Sequence, residues 1–396
     1  MAKFKIKNGV LISCAGEDPH VVIPDGVVKI AAGAFDDYYE GISLEMPNSV
    51  TIIENDAFCY APFESISLSE NLEVIGERAF ANACIASISI PNGVKKIGKC
   101  AFSYCSDLTQ VVLPEGLATI DDGAFQGCCS LEQIDIPQTV TRIGKGAFYG
   151  CYEMTSIVIP NKVKKIHPST FSHCESLVSV TLGSGIKTID KEAFLNCLSL
   201  ESIALPDGVT KIDADAFSNC VSLTTIILPS SLTYIGDGVF ENCYQLEEAT
   251  LPEALTFLGQ NAFSGCSSLK QVVLPVGVTQ IEKNTFSECE NLVDIIWGDN
   301  LTDIGEYAFY GCRALAALHL PAGLASIAPH AFHCCGGLLT LSLPASLTAI
   351  GKDAFLRCKN IKEVQVASLS QYENISFANR YANPTAYGAT LSEYTE

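Results

Sequence analysis

Phenylalanine recurs at positions 35, 58, 80, 102, 125, 148, 171, 194, 217, 240, 263, 286, 309, 332 and 355. The step is 23 residues, except for two steps of 22 around Phe80. Other residues keep phase with it. Five positions before each Phe stands Ile, from Ile30 to Ile350, with Leu258 the one exception. Eight before stands Val, Leu or Ile, and eleven before is Pro, with Ser69, Gly183 and Gly298 as substitutes. Three after is Cys in the last twelve units, Cys105 through Cys358. Fifteen units in phase exclude a set of unrelated globular domains and require one array of small coils.

The pattern carries its own physics. A typical unit runs from Leu131 to Phe148, LEQIDIPQTVTRIGKGAF. Its opening alternates with period 2, the signature of a short strand. Pro cannot donate to a ladder, so it ends that strand. The V-x-x-I segment turns back, and the x-x-A-F segment returns the chain to the next strand. One coil cannot bury its own apolar face, but stacked copies can, with ladders of Ile, Leu, Phe and Cys as a continuous core.

The motif I-P-x-x-V-x-x-I-G-x-x-A-F-x-x-C-x-x-L resembles the BspA-like leucine-rich repeat family, the 23-residue bacterial type, over residues 21–366. The resemblance implies a leucine-rich repeat solenoid of about 15 repeats. Such a solenoid is a curved right-handed coil with a parallel β-sheet on one face and short strands or turns on the other. It also implies protein binding or adhesion, often at a cell surface. It carries over no catalytic residue. The chain departs from the common leucine-rich pattern in having Pro, not an Asn ladder, after the strand.

The ends depart from the phase. Residues 1–20 place Asn8-Gly9 between alternating segments, a strong hairpin signal, and are expected to cap the array. Residues 21–366 hold the fifteen repeats. Residues 367–396 are polar and aromatic and are expected to be an irregular tail or cap.

Composition narrows the function. With 48% hydrophobic and 17% charged residues the chain is too apolar for disorder. A net charge of −20 disfavours nucleic acid and anionic lipid. No stretch of about 18 apolar residues is present to span a membrane, and no secretory signal is visible at the N-terminus. Eighteen cysteines would suggest disulfides in a small secreted domain. Here most follow the repeat, and in-register neighbours point in parallel. They are expected to be buried thiols packing as small hydrophobes, most at ease in a reducing setting.

Chemistry-bearing clusters are sparse. His330, His333, Cys334 and Cys335 are zinc-ligand types, but Cys335 is a core position and no second pair follows at ligand spacing. Neither G-x-S-x-G, G-x-G-x-x-G nor the P-loop pattern occurs. Asp135, Glu248 and Asp294 lie on separate, non-adjacent repeats, too far apart for paired-carboxylate chemistry. No enzyme, cofactor or metal is therefore expected. Lys95, Lys96, Arg142, Lys164, Lys165, Lys187 and Lys211 align as a basic stripe, either a solvated face or a docking strip for an acidic partner.

The strand residues that alternate with the core should face the open side. Val112, Asp135, Val158, Thr225, Ile227, Glu248, Val273, Ile296 and His319 are the candidate binding positions. Aliphatics where water should be mark a binding surface; strand propensity alone is the competing explanation. Sugar binding wants exposed aromatics, which these positions do not supply. The expectation is a non-catalytic, monomeric protein–protein interaction module, adhesin-like and surface-associated. The alternative is a cytoplasmic scaffold or inhibitor.

Overall fold

Each repeat lays down three ladders, one more than the strand pattern alone suggests. The computed structural model describes residues 2–394. In a representative repeat, Ser156–Val158 forms the first strand and Lys165–Ile166 the second, with Pro160 between them. The Val163 N–H donates to the Pro160 carbonyl at 3.1 Å and closes the turn.

The third ladder lies in the segment around Phe. From Phe58 onward, residues two before and two after the Phe adopt left-handed backbone, as at Ser169 (φ 53°) and His173 (φ 61°) flanking Phe171. This alternation aims every second N–H at the next coil. Ser169, Phe171 and His173 donate to the carbonyls of Lys191, Ala193 and Leu195 at 3.0, 2.9 and 2.7 Å. Thr170, Ser172 and Cys174 bond back within their own turn, to His167, Ser169 and Phe171. Gly and Asn tolerate left-handed backbone best, which accounts for Gly127, Gly150, Asn196 and Asn242 at these positions.

Two units divide the chain, Met1–Leu200 and Glu201–Glu396. In the first, strands His20–Val22, Ser43–Glu45, Ser65–Ser67, Ser87–Ser89 and Gln110–Val112 form a five-stranded parallel sheet on the first face. The ladder lapses over residues 131–137 and resumes with Ser156–Val158 and Ser179–Thr181. In the second unit, Ser202–Ala204 to Asp294–Ile296 pair in series. After a break, Ala317–His319 to Glu363–Val366 pair likewise.

The core is the Phe ladder. Phe102, Phe125, Phe148 and Phe171 are fully buried and stack nearly parallel, with ring centroids 5.4, 5.6 and 5.6 Å apart. Phe240, Phe263, Phe286 and Phe309 repeat the arrangement in the second unit. Each buried ring removes apolar surface worth about 1.5–3 kcal/mol from water.

At the N-terminus, Lys3–Lys7 pairs antiparallel with Val10–Ala15 through Asn8 (φ 51°) and Gly9 (φ 74°), both left-handed as a two-residue hairpin turn demands. Val10 and Leu11 then pair with Lys29 and Ile30 and start the second-strand ladder. Past Val366 the 23-residue phase is lost but pairing continues. A short helix, Leu369–Glu373, precedes Ser376–Phe377, which pairs with Ala349–Ile350. Thr390–Glu393 pairs with Glu363–Val366. These end segments bring the coil to about 17 turns, against about 15 read from phenylalanine.

Candidate functional site

The first strand of each repeat has a buried middle residue between two outward ones, so its alternation sets the exposed face. In the first unit Val112 and Val158 are about half exposed, at 51% and 54%. Asp135 is exposed too, but it lies in the lapsed segment and belongs to no strand. In the second unit Ile227 is 70% exposed, the most open of the candidate aliphatics. Val273 and Ile296 are direct ladder partners, and Thr225 likewise partners Glu248. Thr250 stands between Ile227 and Val273 in the same column. The resulting column in this unit is Ile227, Thr250, Val273 and Ile296, an apolar strip one side chain wide.

Polar neighbours lie close to the strip. Gln271 Nε2 donates to Asp294 Oδ2 at 2.8 Å. His319 Nδ1 lies 3.1 Å from Ser342 Oγ, beyond the break that follows Ile296. Val293, 55% exposed just before the last strand of that sheet, widens the apolar surface. Strand alternation alone did not mark it.

The basic stripe is largely neutralised. Lys96 pairs with Asp121 at 2.7 Å, and Arg142 pairs with Asp121 at 2.5 Å and Asp122 at 2.7 Å. Lys165 pairs with Asp190 at 2.8 Å and Lys211 with Asp213 at 2.9 Å. Lys95 donates to the Asn92 carbonyl at 3.0 Å. Burial works against the Asp121 charge, yet the pairs with Lys96 and Arg142 outweigh it and hold the carboxyl down at about 2. The pairs of Lys96, Arg142 and Lys165 join neighbouring coils, while that of Lys211 lies within one coil.

The cysteine column does more than fill space. The described cysteines are free thiols. The Cys128 S–H donates to the Phe102 carbonyl at 3.1 Å, and Cys151, Cys174, Cys266 and Cys312 repeat the bond one coil back. The same Phe102 carbonyl accepts the Cys105 N–H, so the thiol fills its second lone pair. Burial pushes Cys105 and Cys174 up to about 12. They stay protonated and unreactive near neutrality.

His330 stacks on Tyr307 at 4.6 Å and His333 meets Tyr310 edge-on at 5.3 Å. Burial lowers His333, which favours the neutral ring. Among the described residues no group of three or more His, Cys, Asp or Glu is placed to hold a metal ion. No helix among them is long and apolar enough to cross a membrane. Exposed tyrosines were also missed: Tyr60 and Tyr104 occupy left-handed positions after Phe, and Tyr152 and Tyr244 follow the core Cys. Their signal is phase relative to Phe and Cys.

The sequence matches the BspA type leucine rich repeat region (6 copies) over residues 28–153, 141–270 and 258–383. A leucine-rich repeat protein from Bacteroides ovatus is 26% identical, covering 100% of this chain and 98% of its own, with a TM-score of 0.67. A leucine rich cell surface protein from Faecalibacterium prausnitzii is 26% identical over 96% of this chain and 98% of its own, with a TM-score of 0.47. A leucine rich repeat protein from T. pallidum is 38% identical over 40% of this chain and 77% of its own, with a TM-score of 0.39. No match is found among curated proteins. The chain belongs to the BspA-type leucine-rich repeat family, whose repeats are protein-binding modules.

Proposed function

We propose that this chain is a non-catalytic, adhesin-like binding protein that works at the cell surface and engages an extended protein partner through its first strand face. The observation that carries the reading is the column Ile227, Thr250, Val273 and Ile296. It sets exposed aliphatics on a parallel ladder that is paired at Ala204–Ile227 and at Val273–Ile296 and lapses only at Thr250 between them. A rigid surface loses little ordering entropy when it binds. The cytoplasmic scaffold or inhibitor remains the second reading. It is favoured by the free thiols, which persist most easily in a reducing compartment.

Protease shaving of intact producer cells, followed by an antibody blot, separates the two. Clipping supports the surface reading; full protection with reduced thiols in the cytosol supports the scaffold. The face itself is tested by screening matrix and cell-surface proteins with the wild type and with Ile227→Asp/Val273→Asp. A charge set into the middle of the strip should weaken capture about tenfold or more, as for a hot-spot residue. Both side chains are exposed, so the melting temperature should hold. Equal capture by both proteins would move the binding surface elsewhere.

A further inference from the structure

Two tyrosines of the Met1–Leu200 unit stand where other coils use Gly or Asn, as at Gly127, Asn196 and Asn242. Tyr60 and Tyr104 hold the left-handed position two after Phe58 and Phe102, with φ 60° at each. An aromatic residue is a costly choice for that backbone. Core packing does not account for it, because the side chains are 69% and 53% exposed. Asn82 lies between them in the same column, and the ladder there is continuous. The N–H groups of Tyr60, Asn82 and Tyr104 donate to the Ala81, Ser103 and Gln126 carbonyls at 2.8, 2.8 and 2.6 Å. Beneath them Phe58, Phe80 and Phe102 stack with centroids 5.1 Å apart at each step. The two tyrosines are therefore anchored two coils, or roughly 10 Å, apart.

The row stands clear of its neighbours and is partly fixed. The residues that follow Tyr60 and flank Asn82 and Tyr104 are small and buried: Ala61, Ala81, Ala83 and Ser103. Gln126 Nε2 donates to the Tyr104 hydroxyl at 2.9 Å, and the ring lies over Gly127, where a Cβ would come within 2.5 Å of it. That bond uses the hydroxyl as acceptor and leaves its proton to donate. The Asn82 side-chain amide makes no hydrogen bond among the described residues. In the other unit such amides pair along the column, as where Asn242 Nδ2 donates to Asn219 Oδ1 at 3.0 Å. The column thus offers two exposed rings with an unused amide between them.

We infer that Tyr60, Asn82 and Tyr104 form a docking row for a proline-rich segment of a partner protein in polyproline II conformation. Such a helix turns every three residues and rises ~3.1 Å per residue, so one face recurs every ~9 Å, close to the two-coil step of the tyrosines. Its prolines have no N–H and its carbonyls are unpaired. It therefore needs ring faces and donors, and the row supplies both. The helix is extended before it binds and Tyr104 is already held, so little ordering entropy is lost. A nucleic-acid strand could stack on the same rings, but a net charge of −20 opposes it. The row lies on the Phe segments rather than on the first strand face. It goes beyond the reading above and does not depend on the Ile227 strip.

The test uses the full chain and fluorescence anisotropy with labelled decaproline and a labelled Gly–Ser decapeptide. Affinity electrophoresis through hydroxyethylcellulose, a soluble glucan, runs beside it. Decaproline should bind, and the Gly–Ser peptide should bind at least about tenfold more weakly. Tyr60→Asn/Tyr104→Asn should lose about tenfold or more, as for aromatic anchors. Asn suits left-handed backbone, so this variant should fold. Asn82→Gly should lose about three- to tenfold, the worth of one hydrogen bond. Ile227→Asp/Val273→Asp should bind decaproline as the wild type does, which keeps the two surfaces separable. Absence of decaproline binding, or equal binding by the tyrosine double variant, would overturn the row. Equal binding of the Gly–Ser peptide would overturn polyproline recognition. Retardation by the glucan that the double variant abolishes, with no decaproline binding, would give the rings to a glycan instead. If the double variant does not fold as the wild type does, the two peptides on wild-type protein and on Asn82→Gly decide.

Discussion

Asp121 joins two coils at once, because Lys96 precedes it by one turn and Arg142 follows it by one. A carboxyl with a depressed folded-state value stabilises the fold where the unfolded chain is already ionised. Its contribution is complete above the unfolded value near 4 and is lost as pH falls through the folded value of about 2. The Asp121 side chain is 18% exposed while Lys96 and Arg142 are 59% and 40% exposed, so solvent screening must be allowed for. About 1–2 kcal/mol is a fair scale after that discount. Asp121→Asn should therefore lower the unfolding free energy by that amount at neutral pH and by only a small part of it at pH 2, where the folded carboxyl is half protonated. Urea melts of both proteins across this range check it, and a gap of undiminished size at pH 2 would assign the loss to packing instead. The basic stripe was legible in sequence as alignment. Its neutralisation was not, because for Lys96, Arg142 and Lys165 the partner carboxylates Asp121 and Asp190 occupy the variable position after the second-strand Ile, about one turn away along the chain.

At the scale of the element, the Phe segment decides how coils lock together. It needs left-handed backbone on both sides of each Phe, and residues differ in how well they supply it. Gly127 (φ 71°) has no Cβ and lets the Tyr104 ring lie against it; Tyr60 (φ 60°) holds the equivalent position with a side chain that is 69% exposed. Substitution should then work in opposite directions at equivalent sites. Gly127→Ala should cost about 1–2 kcal/mol, and Tyr60→Gly should stabilise by roughly 0.5–1 kcal/mol, since the strain removed exceeds the little packing lost. Chemical denaturation of the two variants checks the pair, and a destabilised Tyr60→Gly would contradict the strain argument. The strands and the Phe core could be read in advance because side-chain periodicity reports burial directly. The third ladder could not, because it depends on backbone signs at positions that the consensus writes as x. The candidate face divides in the same way. Val112, Val158, Ile227, Val273 and Ile296 are exposed as alternation predicted. The lapse at Glu132–Ile136 was invisible, because LEQIDIP keeps every consensus residue while its backbone leaves the ladder.

For the whole molecule the charge balance sets a further expectation. Asp and Glu number 44 and Lys and Arg 24, an excess of 20 negative charges. Even if every cation were paired, 20 carboxylates would remain to repel one another, and acidic Glu115, Glu132 and Asp135 crowd one cleft. Two effects of salt compete. Screening relieves the repulsion, which favours the folded chain, and it also weakens the ion pairs between coils, which does not. The pairs are mostly solvent-exposed, and each is worth about 0–1 kcal/mol. The repulsion acts between all unpaired acids within a Debye length, about 10 Å at 0.1 M salt. Relief should win. The melting temperature should therefore rise by a few degrees as NaCl goes from about 10 to about 150 mM, where screening of a charged surface is strongest. The comparison belongs at pH 7, where these acids are ionised. The Asp121→Asn variant should show a steeper rise than the wild type, because it has lost the ion pairs that salt would weaken. A melting temperature that falls with salt in both proteins would mean that the pairs between coils, not the repulsion across the surface, dominate the electrostatics of the array.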